Sequence, residues 1–351
     1  FELARAAGIE LEAPRAGEQN AADRTGVTAV NVRPQAAAAL AAYMEEKRLL
    51  TESVLDASLS STCPETDLIV ESMRYSLMAG GKRVRPMLCY AATEMFGGSL
   101  EASSPTAVAL EMIHTMSLIH DDLPSMDDAR LRRGRLATHV VFGEGTGMLA
   151  AVSLLNEAYR VIANGEAGDA AQKLRAVAHL TKAVGPDGLA GGQERDIMCG
   201  GGADGHSLKE IEQRHLEKTG ALFAAAAAIG AELAGADEEG VHKMRDYGVA
   251  LGLAYQAFDD VIDVESTSAS AGKDVSQDEG KSTVVSLLGR DGARLSAGRW
   301  LQRAIDLAES ANTGKPSLLA ALAAKIGKKF GVRPTQDGAD GSTRQQSPRA
   351  T

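Results

Sequence analysis

Two clusters of aspartates, each directly after an apolar run with helical spacing, constrain the fold of this chain most strongly. The first cluster, Asp121–Asp128, holds four carboxylates within eight residues, and the second, Asp259–Asp263, holds three. Carboxylates this close repel one another, so a chain that groups them usually binds a cation there. The pattern predicts two helices whose ends bring the clusters face to face across a cavity.

The composition favours helices over sheets. Hydrophobic residues make up 44% of the 351 residues but aromatic residues only 4%, so the core must consist mainly of Ala, Leu, Val, Ile and Met. No β-hairpin signal and no repeat of fixed period is found. The predicted fold class is therefore all-α, a single large helical bundle around a central cavity.

Periodicity and polarity divide the chain into three parts. Residues 1–34 predict a disordered leader, residues 35–330 one all-α domain, and residues 331–351 a disordered polar tail. Within the domain we expect helices at roughly 35–58, 67–77, 106–123, 141–163, 170–184, 207–235, 237–263, 283–288 and 301–326, and a further helix that begins near Pro86.

Charge and cysteine usage exclude several classes of partner. The formal net charge of −10 argues against nucleic acid, which needs a net basic face. The three cysteines, at 63, 89 and 199, form neither a disulfide framework nor a zinc spacing, which favours a reducing compartment. No charge-free apolar run reaches about 18 residues, so no membrane span is expected. The best candidate, Leu222–Ala236, predicts a closely packed buried helix.

Basic segments accompany the acidic clusters. They are the glycine turn Gly80–Pro86 with Lys82, Arg83 and Arg85, the segment with Arg132 and Arg133, the mid-helix Lys218, and the loop with Lys273 and Lys281. Taken alone, each is explained by a solvated loop or by charge neutralisation. Beside the aspartates, a second interpretation is that the carboxylates hold a metal, the metal holds a phosphate, and arginines clamp it.

The helix before the first cluster carries polar residues on one face. His114, Ser117 and Asp121 occur at positions i, i+3 and i+7, although a lone histidine is more often a core residue. Pro124 ends the regular helix, which would let Asp127 turn back toward the first aspartates.

The combined set favours magnesium-assisted chemistry on a diphosphate. Mg²⁺ normally binds through one or two carboxylates, waters and substrate phosphates. With an otherwise apolar cavity, the pattern indicates a substrate with an anionic head and a hydrocarbon tail. No Ser-His-Asp arrangement, reactive cysteine, nucleotide-binding fingerprint or Glu-x-x-His pair of a diiron bundle is found.

Three stretches of the sequence carry a family resemblance. They are Glu71–Pro86, Glu111–Pro124 and Phe258–Asp263. They resemble the trans-isoprenyl diphosphate synthases (trans-prenyltransferases), and within that family most the geranylgeranyl diphosphate synthases of plants and algae. The resemblance covers about residues 40–330 and implies the isoprenyl synthase fold.

The resemblance implies a role for each matching residue. Two or three Mg²⁺ ions would be held on the allylic diphosphate by Asp121, Asp122, Asp127, Asp259, Asp260 and Asp263. Isopentenyl diphosphate would be bound by Lys82, Arg85, His114 and Arg133. The allylic substrate would be surrounded by Arg132, Lys218, Thr219, Gln256, Lys273 and Lys281, of which Lys218, Thr219 and Gln256 would take part in catalysis.

The implied reaction condenses isopentenyl diphosphate with an allylic diphosphate. Departure of diphosphate leaves an allylic cation, which the isopentenyl double bond attacks, and a proton is lost to the diphosphate leaving group. Product length would depend on the residues four and five positions before Asp121, which are Ser117 and Met116. Neither is aromatic, so geranylgeranyl diphosphate is the expected product.

The sequence departs from the family pattern at three places. Leu136-Ala137-Thr138-His139 stands where Pro-Thr-Asn-His is usual, and Val152 replaces an aspartate in the segment 150–155. These changes could lower activity or reshape the tunnel floor. Of a Cys-x-x-x-Cys motif for subunit pairing only Cys89 remains, with Thr93 in place of the second cysteine.

Other interpretations stay open at this stage. The product could be shorter or longer (C10, C15 or beyond C20), or the chain could be a non-catalytic subunit that modulates a partner, although both aspartate motifs are intact. A terpene cyclase is expected to lack the set Lys82, Arg85 and His114, and a structural bundle leaves the charges unexplained. The family implies a homodimer, and the plant and algal resemblance implies a plastid, or otherwise the cytoplasm.

Overall fold

The computed structural model describes residues 34–59, 67–198, 206–265, 282–311 and 317–329. These ranges are almost entirely helical, so the all-α prediction is confirmed. The predicted tail, nearly all of the predicted leader, and both Lys273 and Lys281 lie outside them. Within the described ranges, no helix combines the length and hydrophobicity that crossing a membrane requires.

The described helices are numbered here in chain order. The first six are α1 (Pro34–Ser58), α2 (Asp67–Leu77), α3 (Val84–Met95), α4 (Leu100–Asp121), α5 (Thr138–Phe142) and α6 (Glu144–Asn164). The next seven are α7 (Ala170–Val184), α8 (Leu189–Met198), α9 (Leu208–His215), α10 (Ala221–Leu233), α11 (Glu238–Glu265), α12 (Val284–Ser310) and α13 (Leu318–Lys329). A π-helical turn, Leu216–Gly220, joins α9 to α10.

The alanine-rich helix α10 lies at the centre of the bundle. All its residues except Glu232 are buried, and it packs against α3, α7 and α11. A Cβ at Gly230 would lie 2.3 Å from the carbonyl oxygen of Cys89 on α3, and one at Gly248 of α11 would lie 2.5 Å from the Cα of Ala224. This close approach confirms the predicted buried helix and fixes α3, α10 and α11 relative to one another.

The start of α9 is the one that the sequence predicts. Ser207 and Glu210 form a capping box, in which the Ser207 hydroxyl accepts from the Glu210 N–H and the Glu210 carboxylate accepts from the Ser207 N–H. Such a cap stabilises a helix by about 1 kcal/mol. The predicted helix over 207–235 is therefore correct in extent, but its π-helical turn was not foreseen.

The predicted start of α4 is wrong, because the helix begins at Leu100 rather than near residue 106. Ser99 caps this earlier start by accepting a hydrogen bond from the N–H of Ala102. Pro105 lies inside the helix but close to its N-terminus. There a proline removes only one intrahelical hydrogen bond, and the cap offsets part of that loss.

The helices after residue 282 also differ from the prediction of 283–288 and 301–326. The structure has one helix over Val284–Ser310, with a kink at Gly289 where φ is 70° and ψ is 171°, and a separate α13. Gly289 can adopt this backbone without steric cost, so the chain bends and continues as a helix. Likewise Gly143, with φ of 84°, divides the predicted helix 141–163 into α5 and α6.

A short β-hairpin corrects the prediction that no hairpin is present. Leu131–Arg132 (β1) pairs antiparallel with Arg135–Leu136 (β2). Arg133 and Gly134 have φ of 54° and 74°, as a type I′ turn requires at its two central residues. Each strand is two residues long, too short to show alternation, and arginine is not the usual first residue of such a turn.

Candidate active site

The first aspartate cluster forms a turn at the end of α4. The Asp127 N–H donates to the Asp121 carbonyl oxygen over 2.9 Å, so the chain folds back on itself after Pro124 as predicted. Asp121 and Asp127 are partly exposed, whereas Asp122 is 2% exposed. The aspartates therefore differ: two face outward and one faces the protein.

The buried Asp122 is held by the hairpin. Its Oδ1 accepts from the Arg132 Nε over 2.8 Å and also from Nη2 of the same guanidinium. The hairpin is tied to α2, since the Tyr75 hydroxyl donates to the Leu136 carbonyl oxygen over 2.9 Å. The expectation that this segment places a guanidinium against the carboxylates holds for Arg132.

The second cluster repeats this arrangement at the end of α11. Asp260 is 3% exposed, and its Oδ2 accepts from the Val284 N–H over 3.0 Å. The His215 Nε2 lies 3.6 Å from the same oxygen. Asp259 and Asp263 are partly exposed. In each cluster the middle aspartate anchors the helix end, and its neighbours face outward.

The π-helical turn carries Lys218 and Thr219 between the clusters. The Lys218 Nζ donates to Asp196 Oδ2 over 2.7 Å, so this lysine is not a solvated side chain. The Thr219 hydroxyl donates to the Gln256 Oε1 over 2.8 Å. A Cβ at Gly192 of α8 would lie 2.3 Å from the Lys218 backbone nitrogen, so this glycine lets α8 approach the turn closely.

The basic turn before α3 meets the aromatic side chains of α10 and α11. The Arg85 guanidinium lies 4.8 Å from the centre of the Phe223 ring, and the Lys82 Nζ lies 6.0 Å from that of Tyr255. These two rings are 5.6 Å apart. The Arg133 guanidinium donates to the Gly80 carbonyl oxygen, beside Gly81, where a Cβ would be 3.0 Å from Nη1.

The charges of the basic side chains affect the pKa values of Asp121 and His114. Burial raises the pKa of Asp121 to about 6, an effect that the Lys218 charge opposes and the Asp127 charge strengthens. Burial, together with the charges of Arg85 and Arg133, holds the pKa of His114 well below its usual value, so this imidazole is neutral. Burial also lowers the pKa of Arg85 to about 10.

These contacts bring most of the predicted site residues together. Arg132 and Lys218 lie around the first cluster, and Arg85, His114 and Arg133 form a second basic group that reaches Tyr255. Burial raises the pKa of Tyr255, and the Asp259 charge raises it further, whereas the Arg85 and Arg133 charges lower it. Tyr255 therefore links the basic group to the second cluster. The positions of Lys273 and Lys281 lie outside the described residues.

The donor set fits a hard cation that the substrate helps to bind. Among the described residues, no three His, Cys, Asp or Glu side chains are arranged to hold a metal by themselves. Mg²⁺ usually takes one or two carboxylates and completes its shell with waters and phosphates. The outward carboxylates of Asp121 and Asp127, one of them destabilised by burial, are suited to that role.

Two acidic residues near the site, Asp196 and Glu111, have contacts that the sequence did not predict. Asp196 accepts from Lys218 and lies 3.4 Å from the Arg214 Nε, while Glu111 pairs with Arg83. Asp196 follows the glycine pair of α8 and Glu111 lies one turn before His114. The sequence shows both acidic residues, but it does not show their basic partners, which depend on how the helices pack.

The departures from the family pattern lie in different places: Leu136–His139 belongs to the hairpin segment and lines a pocket with Asp122, whereas the other two lie on α6 and α3. Val152 is exposed on α6, and Ala151 beside it is buried. Cys89 and Thr93 are both buried, and the Thr93 hydroxyl lies 2.8 Å and 3.1 Å from the carbonyl oxygens of Cys89 and Gly230. The remaining half of the pairing motif therefore lies inside the bundle.

Paired carboxylates beside clustered guanidinium groups are typical of sites that bind a diphosphate with a metal, and the comparisons identify the class as that of the prenyl diphosphate synthases. Residues 66–320 match the family model described as polyprenyl synthetase, and the chain belongs to this family. It is 44% identical to a geranylfarnesyl diphosphate synthase from Leucosceptrum canum, covering 72% of this chain and 70% of that one.

Other relatives agree in fold and family. A geranylgeranyl pyrophosphate synthase from Capsicum annuum is 42% identical, covering 80% of this chain and 76% of that one. An apo FPP/GFPP synthase from Zymomonas mobilis superposes with a TM-score of 0.75 at 30% identity, covering 83% and 99%. A geranyltransferase from Helicobacter pylori, complexed with magnesium and isoprenyl diphosphate, gives 0.73 at 27% identity, covering 83% and 97%.

Proposed function

We propose that this chain condenses isopentenyl diphosphate with an allylic diphosphate to give geranylgeranyl diphosphate. The family membership makes it an isoprenyl diphosphate synthase. The observation that carries the proposal is the pairing of two outward-facing carboxylate clusters with two separate basic groups. Two basic groups suit two diphosphates, the allylic one beside the aspartates and the isopentenyl one at Arg85 and Arg133.

Some of the site residues would bind the allylic diphosphate, and others would shield the allylic cation. Arg132 and Lys218 would neutralise the allylic diphosphate, and the outward aspartates would hold two to three Mg²⁺ ions against it. When bound, Mg²⁺ supplies Lewis-acid stabilisation of the departing diphosphate. The hydrogen bond between Thr219 and Gln256 fixes the direction of both side chains, so that their oxygens would face the allylic cation after ionisation.

The isopentenyl site would bind its diphosphate at Lys82, Arg85 and Arg133. The neutral imidazole of His114 would donate or accept a hydrogen bond there without adding charge. Burial at this site would exclude water, which would otherwise quench the cation. No protein base is required, because the diphosphate leaving group can accept the proton.

The product length is the finer part of the proposal. Met116 and Ser117 are buried on α4, close before the first aspartate. Neither is aromatic, which supports growth to geranylgeranyl diphosphate. The relative from Leucosceptrum canum, named for a longer product, supports a second candidate, a synthase that extends the chain beyond C20.

The test is a product assay. Purified protein with Mg²⁺, isopentenyl diphosphate and farnesyl diphosphate should release geranylgeranyl diphosphate, identified by mass spectrometry after phosphatase treatment. A longer alcohol as the main product would favour the second candidate. No turnover with dimethylallyl, geranyl or farnesyl diphosphate would overturn the enzymatic proposal and favour a modulatory subunit.

The assembly and the compartment belong to the same proposal. An apolar surface on α6, formed by Met148, Leu149 and Val152, supports a homodimer, because each of these side chains is more than half exposed. Several similar proteins are named as chloroplastic, among them the one from Capsicum annuum, which supports a plastid location.

A further inference from the structure

The basic turn before α3 contains one arginine that is turned away from the solvent. Arg83 is 2% exposed, whereas the neighbouring Lys82 is exposed. Its Nη1 donates to Glu111 Oε1 and its Nη2 to the Leu77 carbonyl oxygen, each over 2.7 Å. A left-handed backbone at Arg83, with φ of 49° and ψ of 41°, marks the point where the turn passes into α3.

Glu111 is a buried carboxylate within reach of several cations. It is 2% exposed, and its charge raises the pKa of both Arg85 and Arg133 against the effect of their burial. Its hydrogen bond nevertheless goes to Arg83. A buried carboxylate is strongly stabilised by a guanidinium partner and is costly when that partner is removed.

Arg85 and Arg133 have no carboxylate partner among the described residues. Neither forms an ion pair within that part of the chain, and the Arg85 Nε has no hydrogen-bond partner there. The Arg133 guanidinium donates to the Gly80 carbonyl oxygen, a neutral acceptor. Two partly buried guanidinium groups with free donors are suited to an anion with several oxygens, such as a diphosphate.

We propose that Arg83 is a positioning residue that occupies Glu111 and thereby keeps Arg85 and Arg133 free for the isopentenyl diphosphate. The inference rests on the proposed function, in which those two arginines bind that diphosphate. Without Arg83, the buried Glu111 would lose its guanidinium partner, and Arg85 and Arg133, whose charges already interact with it, would be its replacements. The carboxylate would then compete with the substrate for the same donors.

The test is a double-mutant cycle at Arg83 and Glu111. Arg83→Met should raise the KM for isopentenyl diphosphate by about tenfold or more, since charge-assisted bonds are lost to a competing carboxylate. The KM for farnesyl diphosphate should stay within about twofold. Arg83→Met with Glu111→Gln should restore the KM for isopentenyl diphosphate to within about threefold of wild type, because the competitor is then neutral.

A matched control removes another ion pair of α3. Lys47 is buried on α1 and its Nζ lies 3.1 Å from Glu94 Oε1, near the end of α3 that is remote from the basic turn. Lys47→Met should lower the melting temperature but leave both KM values unchanged. If Arg83→Met does not fold, Arg83→Lys serves instead, since a lysine keeps the charge but cannot reproduce the two-partner geometry.

Two results would overturn the inference. One is a double variant whose KM for isopentenyl diphosphate is as high as that of Arg83→Met, which would make the pair merely structural. The other is an equal rise in both KM values. Calorimetric titration with inorganic diphosphate distinguishes a failure of this inference from a failure of the proposed function. An inactive wild type would refute the proposed function. Diphosphate binding that is weakened in Arg83→Met and restored in the double variant would still support the role of the Arg83–Glu111 pair.

Discussion

Asp121 has an unfavourable environment in the metal-free protein. Burial raises its pKa from the ordinary 3.8 to about 6. The folded protein thus holds this proton more tightly than the unfolded chain, and folding stability falls as the pH rises from the lower value through the higher one. At neutral pH the ionised carboxylate costs up to about 3 kcal/mol. A cation at this site would remove that cost.

Asp121→Asn should therefore separate stability from activity. In the absence of Mg²⁺ the variant should melt at a higher temperature than wild type at pH 7.5, and the difference should shrink at pH 5. Turnover should fall by orders of magnitude. Differential scanning calorimetry at both pH values and the product assay measure the two effects.

A matched control is Asp291→Asn, whose side chain on α12 is exposed. It should change neither the melting temperature nor the rate. A lower melting temperature for Asp121→Asn at pH 7.5 would show that the carboxylate is stabilised by its surroundings, contrary to this account.

Among the elements, the π-helical turn between α9 and α10 depends on two glycines. Gly192 of α8 touches the turn at Lys218, and Gly252 of α11 touches it at Gly220, where a Cβ would lie 2.6 Å from the Gly220 Cα. Both contacts are made with the backbone, which cannot move as a flexible side chain can. The turn is thus held from two sides, with Lys218 and Thr219 between them.

Gly192→Ala should displace this turn. The added methyl group should destabilise the protein by about 1–3 kcal/mol, as overpacking usually does, and should lower kcat by moving Lys218 and Thr219. Chemical denaturation and steady-state kinetics measure both. Gly145→Ala on α6 is the matched control, because its methyl group would have no described atom within 4 Å beyond the backbone of its own helix. Equal effects of the two substitutions would argue against the contact.

The elements also show where sequence patterns stop being informative. The start of the predicted helix 207–235 is correct, because its capping box at Ser207 is a local interaction. The π-helical turn was not predicted, because it depends on Gly192 and Gly252 from other helices. The hairpin at Arg133 was missed for a similar reason: its strands are too short to alternate, and contacts to α2 hold it in place.

The same distinction applies to the site. The chemical types and spacing of the aspartates predicted that carboxylates, arginines and Lys218 would gather. The difference between the buried Asp122 and Asp260 and their outward neighbours was not predictable, since it depends on Arg132 and on the start of α12. The roles of individual residues remain predictions, which substitutions at those positions would test.

At the scale of the whole molecule, the apolar surface on α6 is the strongest indication of assembly. Met148, Leu149 and Val152 occur at i, i+1 and i+4 on one face and are 51%, 54% and 55% exposed. Val152 is also where the family pattern has an aspartate. Exposed apolar residues grouped on one face are typical of an interface rather than of free surface.

Leu149→Glu combined with Val152→Glu should convert the proposed dimer into a monomer. Burying two carboxylates in an apolar interface is too costly to permit association. Light scattering coupled to size-exclusion chromatography measures the mass. Leu174→Glu, at a side chain of α7 that is 70% exposed, is the matched control and should leave the mass unchanged. A wild-type monomer would contradict the proposal directly.

The packing of α10 also limits how such a protein can evolve. Gly230 already touches the backbone of α3 and Ala224 lies against Gly248 of α11, so a larger residue at Gly230 or Ala224 would push whole helices apart. Most substitutions there should be eliminated by selection for folding before any new activity could be tested. We therefore expect substitutions that change the activity to accumulate in helices that pack through side chains rather than through backbone, such as α4.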